Sequence, residues 1–549
     1  MMGWIEPHLL ALPVLVPMMF GAAMLLLGEQ RMRAKVVLGF ISVCLLLYCS
    51  LLILQRTAQG DTSVSVYLAA NWPAQFGISL VADQLTSIML VLTAFIAMAA
   101  FFYATAKWHR AGVHFHTLFQ FQLMGLNGAF LTGDLFNLFV YFEILLAASY
   151  GLLLHGSGAE RVKAGLHYIA VNLFGSLLFL IGVAMIYGVV GTLSMADIAA
   201  RIATVDPQDR VMLEVGAAIL GVAFLTKAGA WPLNFWLPAS YGAASPPSAA
   251  IFSLMTKVGA YVILRLSLLF FGVEAGDSEG AFTQIILFIG LATLTFGTIG
   301  MLSSQTTERL AGFSVIVSTG TILSAIGFGD PEVTASALFY LVSSTLGIAA
   351  FYLLLELMER SKHFGSDLLA VSLEAFGLER SANSPEEDLS DTDPGVAIPA
   401  AMALLGLCFI ACTVMLAGLP PLSSFLAKFS ILTAVLNPVG LTENLGAPLP
   451  GTSWALLILI IVSGFTTVIS FTRFGMRTFW THEARQAPRM HIVELAPIIG
   501  LLVLSIVLTL QVSPVMQYFH AAAQALHQPT EYIQTVLSAQ PVPRSGGQP

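Results

Sequence analysis

The chain has 549 residues, of which 57% are hydrophobic and 10% are charged, and its mean hydropathy is +0.84. A soluble domain carries about 25% charged residues, so the composition excludes a soluble globular protein and predicts a polytopic protein of the lipid bilayer. The net charge of -8 owes much to one acidic loop. Nothing in this balance indicates nucleic-acid binding.

Apolar windows of about 20 residues, the length that crosses a bilayer, recur along the whole chain. They predict an all-α fold with about fourteen transmembrane helices. The predicted spans have the approximate ranges 8–27, 34–54, 82–105, 115–132, 134–154, 165–190, 211–230, 246–270, 281–302, 308–327, 333–357, 397–417, 453–472 and 493–511. The first span lacks a basic leader and a small-residue cleavage site, so it is interpreted as a retained helix rather than a signal peptide.

Three weaker apolar stretches lie between the spans. Residues 231–243 and 420–436 are interpreted as the second halves of broken helices. The stretch 66–80, which contains Trp72 and Pro73, is expected to lie at the membrane interface before the third span.

The basic residues predict the orientation of the chain. Most Lys and Arg side chains fall in alternate loops, and the opposite side keeps only Arg56, Arg201, Arg210 and Arg544. By the positive-inside rule the basic loops are cytoplasmic, which places both termini outside the cytoplasm. Arg265 lies near a helix end and is expected to snorkel towards the interface.

Two polar segments stand apart from the spans. Ser361 to Pro394 contains an acidic run, and its composition predicts an exposed cytoplasmic linker. The segment after Pro514 is amphipathic as far as Leu537 and is expected to lie along the membrane surface.

The four cysteines, Cys44, Cys49, Cys408 and Cys412, fall within predicted spans without nearby histidines. They are interpreted as packing residues, so no metal site is predicted. No nucleotide-binding loop or dinucleotide motif is present in the sequence, and we expect no cofactor.

Four ionisable residues lie at membrane depth: Glu143, Lys227, Lys257 and Lys428. Each costs roughly 2.5–3.5 kcal/mol to insert and therefore indicates ion or proton traffic. One carboxylate with several lysines, whose protonation can be tuned by burial, is typical of a proton path. The structural alternatives are a neutral glutamate hydrogen-bonded between helices and a lysine that snorkels to the interface.

Two of these lysines accompany breaks in apolar segments. The interrupting residues are Gly229, Pro232 and Pro238 after Lys227, and Gly418, Pro420 and Pro421 before Lys428. Proline removes a backbone donor, and a broken helix at bilayer depth is tolerated where it is buried or lines a cavity. One such break in each half, five spans apart, predicts a transporter built from inverted repeats.

Other polar residues are candidates for proton entrance or relay. His114 and His116 open the fourth span, and histidine titrates near neutral pH. Hydroxyl groups could hold water between the charged sites, although helix packing is the equal alternative. The hydroxyl candidates are Thr226, Thr256, Ser343, Ser344 and Thr345.

Three segments resemble the antiporter-like subunits shared by respiratory complex I, membrane-bound hydrogenases and Mrp-type antiporters. They are Thr132–Glu143 with Ala148–Tyr150, Lys227–Pro238 and Thr256–Tyr261, and they are most similar to the D subunits of Mrp, Mnh or Pha antiporters. The resemblance covers roughly residues 80–480. It implies that Glu143 pairs with Lys227, and that Lys257 leads to Lys428.

The chain departs from the family pattern in two spans. Tyr340–Thr345 in the eleventh span and Phe313–Val315 in the tenth lack histidines that many relatives have, so hydroxyl-held water is expected to take their place. These variations are similar to the Pha branch, which is linked to potassium.

The resemblance implies a proton-translocating subunit of a hetero-oligomeric Na⁺(K⁺)/H⁺ antiporter in the bacterial inner membrane, where proton influx drives cation efflux. The alternatives are a proton-pumping subunit of a redox complex and a scaffold without transport. We expect spans 1–3 in residues 1–112, a first repeat (spans 4–8) in 113–270, an inverted repeat (spans 9–13) in 271–480 with an acidic loop at 361–395, and a last span and tail in 481–549. Spans 7 and 12 are expected to be the broken ones.

Overall fold

The computed structural model describes residues 8–28, 31–59, 63–375, 400–437, 449–479 and 491–541. Within these ranges the chain forms nineteen α-helices and a two-stranded antiparallel hairpin. In chain order the helices are α1 (Leu12–Leu26), α2 (Met32–Gln59), α3 (Gln84–Ala106), α4 (Phe115–Leu131), α5 (Leu135–Leu154), α6 (Ala159–Val190), α7 (Met195–Ile202), α8 (Pro207–Ala228), α9 (Leu237–Ala243), α10 (Pro246–Phe271), α11 (Thr283–Ser303), α12 (Thr307–Ile326), α13 (Pro331–Ala375), α14 (Ala400–Ala417), α15 (Ser423–Leu436), α16 (Gly451–Phe479), α17 (Ile492–Leu510), α18 (Val512–His527) and α19 (Thr530–Ser538).

Twelve helices in the described residues are long and apolar enough to cross a membrane, which confirms a multi-pass helical protein. Every predicted span coincides with a helix. However, α1 has 15 residues and α4 has 17, and both are shorter than the 18 residues taken here as the minimum for crossing a membrane. The count of fourteen therefore stays a prediction. The predicted second halves of broken helices are the short helices α9 and α15.

The bundle has a buried centre and a lipid-facing rim. The most apolar windows of α10 and α12 are 89% buried and that of α13 is 100% buried, whereas those of α2, α6 and α16 are 39% buried. Apolar side chains that remain exposed on rim helices suit contact with lipid rather than water. Lys257, on α10, thus lies in the buried centre of the bundle.

The stretch 66–80 contributes to a hairpin, and its location at the membrane interface stays a prediction. Strand β1 (Ser65–Leu68) pairs with β2 (Ser79–Ala82), with Ser65 opposite Ala82. All four residues of β2 are buried, so this strand packs against the bundle.

The structure also changes the interpretation of the two polar segments. Helix α13 continues to Ala375, so the first part of the predicted linker is helical, while 376–395 lies outside the described residues. The C-terminal helices α18 and α19 bury Phe519, Ala522, Leu526 and Tyr532. Their apolar faces therefore pack against protein. Hydrogen bonds add to this contact, since the Tyr518 hydroxyl lies 2.8 Å from that of Thr57 at the end of α2 and 2.7 Å from that of Ser87 at the start of α3.

Arg265 does not snorkel, since it forms a buried ion pair with Asp83. Asp83 caps the start of α3, where its Oδ1 accepts from the Thr86 amide at 2.9 Å and from Arg265 Nη2 at 2.8 Å. The pair joins α3 to α10, and the Tyr532 ring of α19 covers it at 5.2 Å from Arg265 Cζ.

Candidate functional site

The first break separates α8 from α9. Gly229 ends α8 with φ +68, a left-handed conformation that disfavours a side chain. Pro232 lies in the gap, and the Trp231 amide there donates to Thr293 Oγ1 at 2.9 Å. Pro238, a predicted interruption, lies instead in the first turn of α9, where a missing amide proton costs nothing. Gly229 and Pro232 therefore make the break, and Pro238 begins the second half.

Lys227 occupies the last turn of α8, beside this break. Its side chain is 9% exposed, and Nζ lies 5.5 Å from the centroid of the Phe142 ring on α5. Glu143 is the next residue of α5. Within the described part of the chain, neither Lys227 Nζ nor the buried Glu143 Oε1 has a hydrogen-bond partner. No ion pair joins Lys227 to Glu143 in the described structure, and Lys227 Nζ can exchange a proton without first breaking a hydrogen bond.

The turn of α10 that carries Lys257 lies against the end of α8, because the two helices approach closely. A Cβ added at Gly259 would lie 2.5 Å from the Ala228 amide nitrogen, so only glycine permits the contact. Ala228 follows Lys227, and Gly259 is two residues after Lys257. The contact therefore brings the two lysine-bearing turns side by side.

Lys257 is fully buried and hydrogen-bonded. Its Nζ donates to Ser318 Oγ at 2.8 Å, and Ser318 Oγ lies 2.8 Å from Ser344 Oγ. This chain crosses from α10 through α12 to α13. The structure thus brings together the predicted Lys257 and Ser344 and adds Ser318, which sequence patterns did not single out although it lies in the run Ser318-Thr319 of the tenth span.

The other predicted hydroxyls do not join this chain. Thr226 Oγ1 and Thr256 Oγ1 donate to Val222 and Ser253 carbonyls of their own helices at 2.9 and 3.2 Å. Ser343 Oγ is buried and has no partner among the described residues. Thr345 likewise donates to a carbonyl one turn earlier, that of Leu341. Short hydroxyls in helices commonly bond back in this way.

Lys428 lies beyond the second break, on α15, and reaches back to α14. Its Nζ donates to the carbonyl oxygens of Ala417 at 2.9 Å and Leu416 at 3.5 Å. These carbonyls form the C-terminal end of α14, where the helix dipole favours a cation. Gly418 has φ +74, and a Cβ there would lie 2.5 Å from Lys428 Cδ. Gly418 therefore both turns the backbone and leaves room for the lysine.

Close packing connects Ser344 with this second lysine. A Cβ at Gly347, three residues beyond Ser344 on α13, would lie 3.1 Å from Met415 Cγ on α14. Met415 directly precedes the two carbonyls that accept from Lys428. The Lys257–Ser318–Ser344 chain thus ends on α13, one helical turn before the glycine that packs against the last turn of α14.

The two predicted histidines occupy different environments. His114 is an exposed residue with φ +62 before α4, while His116 is 2% exposed and its ring centroid lies 5.6 Å from that of His109. His109 Nδ1 bonds the Ala104 carbonyl at 3.0 Å, and its Nε2 accepts from Arg110 Nε at 3.2 Å. Burial lowers the pKa of His109, and of the neighbouring His155, below the ordinary histidine value. His109 and His155 were not singled out from the sequence, because isolated loop histidines carry no periodic signal.

An ionic cluster at the same end of the molecule was also missed. Arg360 Nε donates to Glu356 Oε1 at 2.9 Å, and its Nη1 lies 2.7 Å from Oε1 of the buried Glu494. The hydroxyl of Tyr103 and the indole of Trp108 also donate to Glu356. The cluster joins α3, α13 and α17, so we interpret it as an ion-pair network that stabilises the packing of these helices. In the described ranges, no group of three or more His, Cys, Asp or Glu side chains could hold a metal ion.

Comparison with known proteins places these features in a family. Residues 132–442 match the family described as NADH:quinone oxidoreductase/Mrp antiporter, transmembrane. The chain is 50% identical to the probable K⁺/H⁺ antiporter D subunit of Rhizobium meliloti (strain 1021) over 100% of both chains. It is 32% identical to the Na⁺/H⁺ antiporter D subunit of Alkalihalophilus pseudofirmus, over 96% of this chain and 99% of that one. A chain of the Mrp complex from Dietzia sp. DQ12-45-1b has a TM-score of 0.79 at 25% identity and covers 97% of this chain and 100% of its own. The chain therefore belongs to the NADH:quinone oxidoreductase/Mrp antiporter family, among its antiporter D subunits.

Proposed function

We propose that this chain is the proton-translocating D subunit of a multisubunit monovalent cation/proton antiporter, in which proton influx drives cation efflux. The observation that carries the proposal is the pair of interrupted helices, each with a buried lysine beside the break. The relatives named as K⁺/H⁺ and Na⁺/H⁺ antiporter subunits support the reaction class. Since a D subunit is one part of an assembly, its partners are the other subunits of a hetero-oligomeric complex.

In this proposal Glu143, Lys227, Lys257 and Lys428 carry the proton. Lys227 accepts it beside the Glu143 carboxylate, and the charge then passes to Lys257 across the close contact between α8 and α10. From Lys257 the Ser318–Ser344 chain leads towards Lys428. Each transfer needs a donor and an acceptor within hydrogen-bond reach, directly or through one water. His114 and His116 remain candidates for the proton entrance.

We place the protein in the bacterial inner membrane with the basic loops in the cytoplasm and both termini outside, on the strength of the loop charges. Residues 113–270 and 271–480 form the two inverted repeats, flanked by 1–112 and 481–549. The shared plan of the breaks, a helix end at a positive-φ glycine followed by a short helix, supports this division. The 50% and 32% sequence identity to subunits that are named as antiporter subunits favours antiport over redox pumping.

The test is cation-dependent ΔpH exchange in inverted vesicles from an antiporter-deficient strain that expresses the whole operon. We expect Na⁺ or K⁺ to collapse a proton gradient with the parent complex and not with Lys227→Ala at equal membrane abundance. Equal exchange by parent and variant would favour the scaffold alternative. Acidification driven by electron donors, without cation exchange, would favour the redox pump.

A further inference from the structure

An acidic cavity of about 500 Å³ opens at the end of the molecule where α6, α10 and α12 begin. Four carboxylates line it, those of Glu160, Glu308, Glu356 and Glu359, together with the guanidinium of Arg161. Glu160 is exposed and marks the mouth of the cavity. The lining is therefore predominantly anionic, although the surrounding loops are basic.

Two of the lining charges are already engaged. Glu356 accepts hydrogen bonds from Tyr103, Trp108 and Arg360. Arg161 Nε donates to the Ala243 carbonyl at 2.8 Å, so its guanidinium is held by backbone oxygen rather than by a carboxylate. Of the residues that the structure describes, no other Arg or Lys lines the cavity.

Three lining carboxylates remain, and the described residues supply no ion-pair partner for them. Glu160, Glu308 and Glu359 take part in no salt bridge among the described residues, and Glu359 only accepts from Thr307 Oγ1 at 3.5 Å. Against these three carboxylates stands the single positive charge of Arg161, so the lining keeps an excess of negative charge. A cleft with an excess of one sign of charge and walls of protein focuses the field and raises the local counter-ion concentration.

Two buried phenols form the inner wall of the cavity. Tyr241 is 1% exposed and Tyr352 is 3% exposed, and neither hydroxyl has a hydrogen-bond partner in the described part of the structure. An unsatisfied buried hydroxyl is unfavourable, which indicates that a polar ligand or its water shell completes the site. This observation is independent of the carboxylates.

The inner wall lies two helical turns from the proton chain. Ala249 of the lining precedes Lys257 by eight residues on α10, and Tyr352 follows Ser344 by eight residues on α13. At 1.5 Å per residue both intervals are about 12 Å. Two unit charges at this separation, with an effective dielectric constant of about 20, shift each other's binding equilibrium about tenfold.

We propose that this cavity is a vestibule that binds a hydrated monovalent metal cation. No group of three or more acidic, histidine or cysteine side chains in the described residues is close enough to chelate a bare ion, so the cation keeps part of its water shell. A cation here repels the proton on Lys257. Binding of the metal ion and protonation of the lysine therefore oppose each other. The inference rests on the proposed antiport, because it names the place where the exchanged ion first meets the proton path.

The experiment uses thallium(I) as a monovalent probe and the purified complex in detergent. Saturable broadening of the thallium NMR line reports binding without any need for transport. We expect the variant Glu308→Gln with Glu359→Gln to weaken this binding about tenfold. The control Glu279→Gln changes an exposed carboxylate beyond the opposite end of α10 and should leave binding unchanged. Unchanged binding in the double variant would overturn the proposal.

Transport in vesicles supplies the second readout. The double variant should raise the half-saturating Na⁺ or K⁺ concentration and leave the maximal exchange rate unchanged. A shift in the pH dependence alone, with unaltered cation dependence, would mean that the cavity takes up protons and would refute the cation site. Thallium binding that is lost in the variant, in a complex without any exchange, would retain the site and reject the proposed antiport.

Tyr352→Phe keeps the proposal testable if the glutamine variant does not assemble. It removes only a hydroxyl that has no partner among the described residues, so the fold should tolerate it. Weaker thallium binding in this variant is the expected result, and binding equal to that of the parent complex would contradict the assignment of the inner wall.

Discussion

Replacing Gly418 by alanine should detach Lys428 from the end of α14. The added Cβ would lie 2.5 Å from Lys428 Cδ and 3.0 Å from Nζ, so the lysine must move. Its hydrogen bonds to the Ala417 and Leu416 carbonyls are then lost, and bonds from a charged group are worth roughly 1.5–3 kcal/mol. The equilibrium between bound and detached lysine should therefore shift roughly 10- to 100-fold.

Gly191→Ala is a matched control for backbone strain. Gly191 ends α6 with the same φ of +74 as Gly418, but nothing lies within 4 Å of a Cβ added there. Both variants carry the cost of a left-handed alanine, roughly 1–2 kcal/mol. Only Gly418→Ala also displaces a lysine.

The assay is cation-dependent ΔpH exchange in inverted vesicles, with membrane abundance measured by immunoblot. We expect Gly418→Ala to exchange at about a tenth of the parent rate or less, and Gly191→Ala to stay near it. In a Lys428→Ala background Gly418→Ala should have no further effect, as a shared pathway requires. Equal exchange by the two alanine variants would refute the positioning role of Gly418.

Three further outcomes follow from the geometry. Ser318→Ala removes the acceptor of the fully buried lysine and should lower exchange about tenfold or more, whereas Ser314→Ala, one turn earlier on α12, should not; equal rates would contradict the hydroxyl chain. Asp83→Asn leaves Arg265 buried without a counter-charge, so the complex should lose about 3–5 kcal/mol of stability, and an unchanged unfolding temperature would argue against the pair. Burial lowers the pKa of His155, so the folded state binds fewer protons than the unfolded one and stability should fall as the pH drops below about 6.5. Thermal unfolding of His155→Gln should show a weaker dependence in this range, and identical pH profiles would contradict the interpretation.

Much of the fold could be predicted because the bilayer imposes a length and a polarity on every span. Candidate site residues could be selected for the same reason, since a charge at membrane depth needs a function or a partner; their roles stay predictions. Lys227 and Lys428 also carry local glycine and proline signals. Span length, span polarity and local glycine or proline residues are properties of one segment, so they can be recognised in the sequence alone.

Partners across the bundle could not be predicted in this way. Ser318 is an ordinary helical serine until α10 places Lys257 beside it, and Arg265 resembled a snorkelling residue until α3 placed Asp83 opposite it. Pro238 carries the same local signal whether it interrupts a helix or begins one. Pairing between distant segments depends on tertiary packing, which periodicity and composition do not contain.

The two breaks share a backbone plan but hold their lysines differently. Lys227 precedes its break and has no hydrogen-bond partner in the described structure, whereas Lys428 follows its break and is anchored to the carbonyl end of the other half-helix. In the proposed pathway a proton would therefore stay longer on Lys428, at the break between α14 and α15, than on Lys227, at the break between α8 and α9. The two break segments are thus alike in backbone architecture but would differ in how long each holds a charge. Exchanging the two break segments between the halves would reverse where the protein stores charge between turnovers.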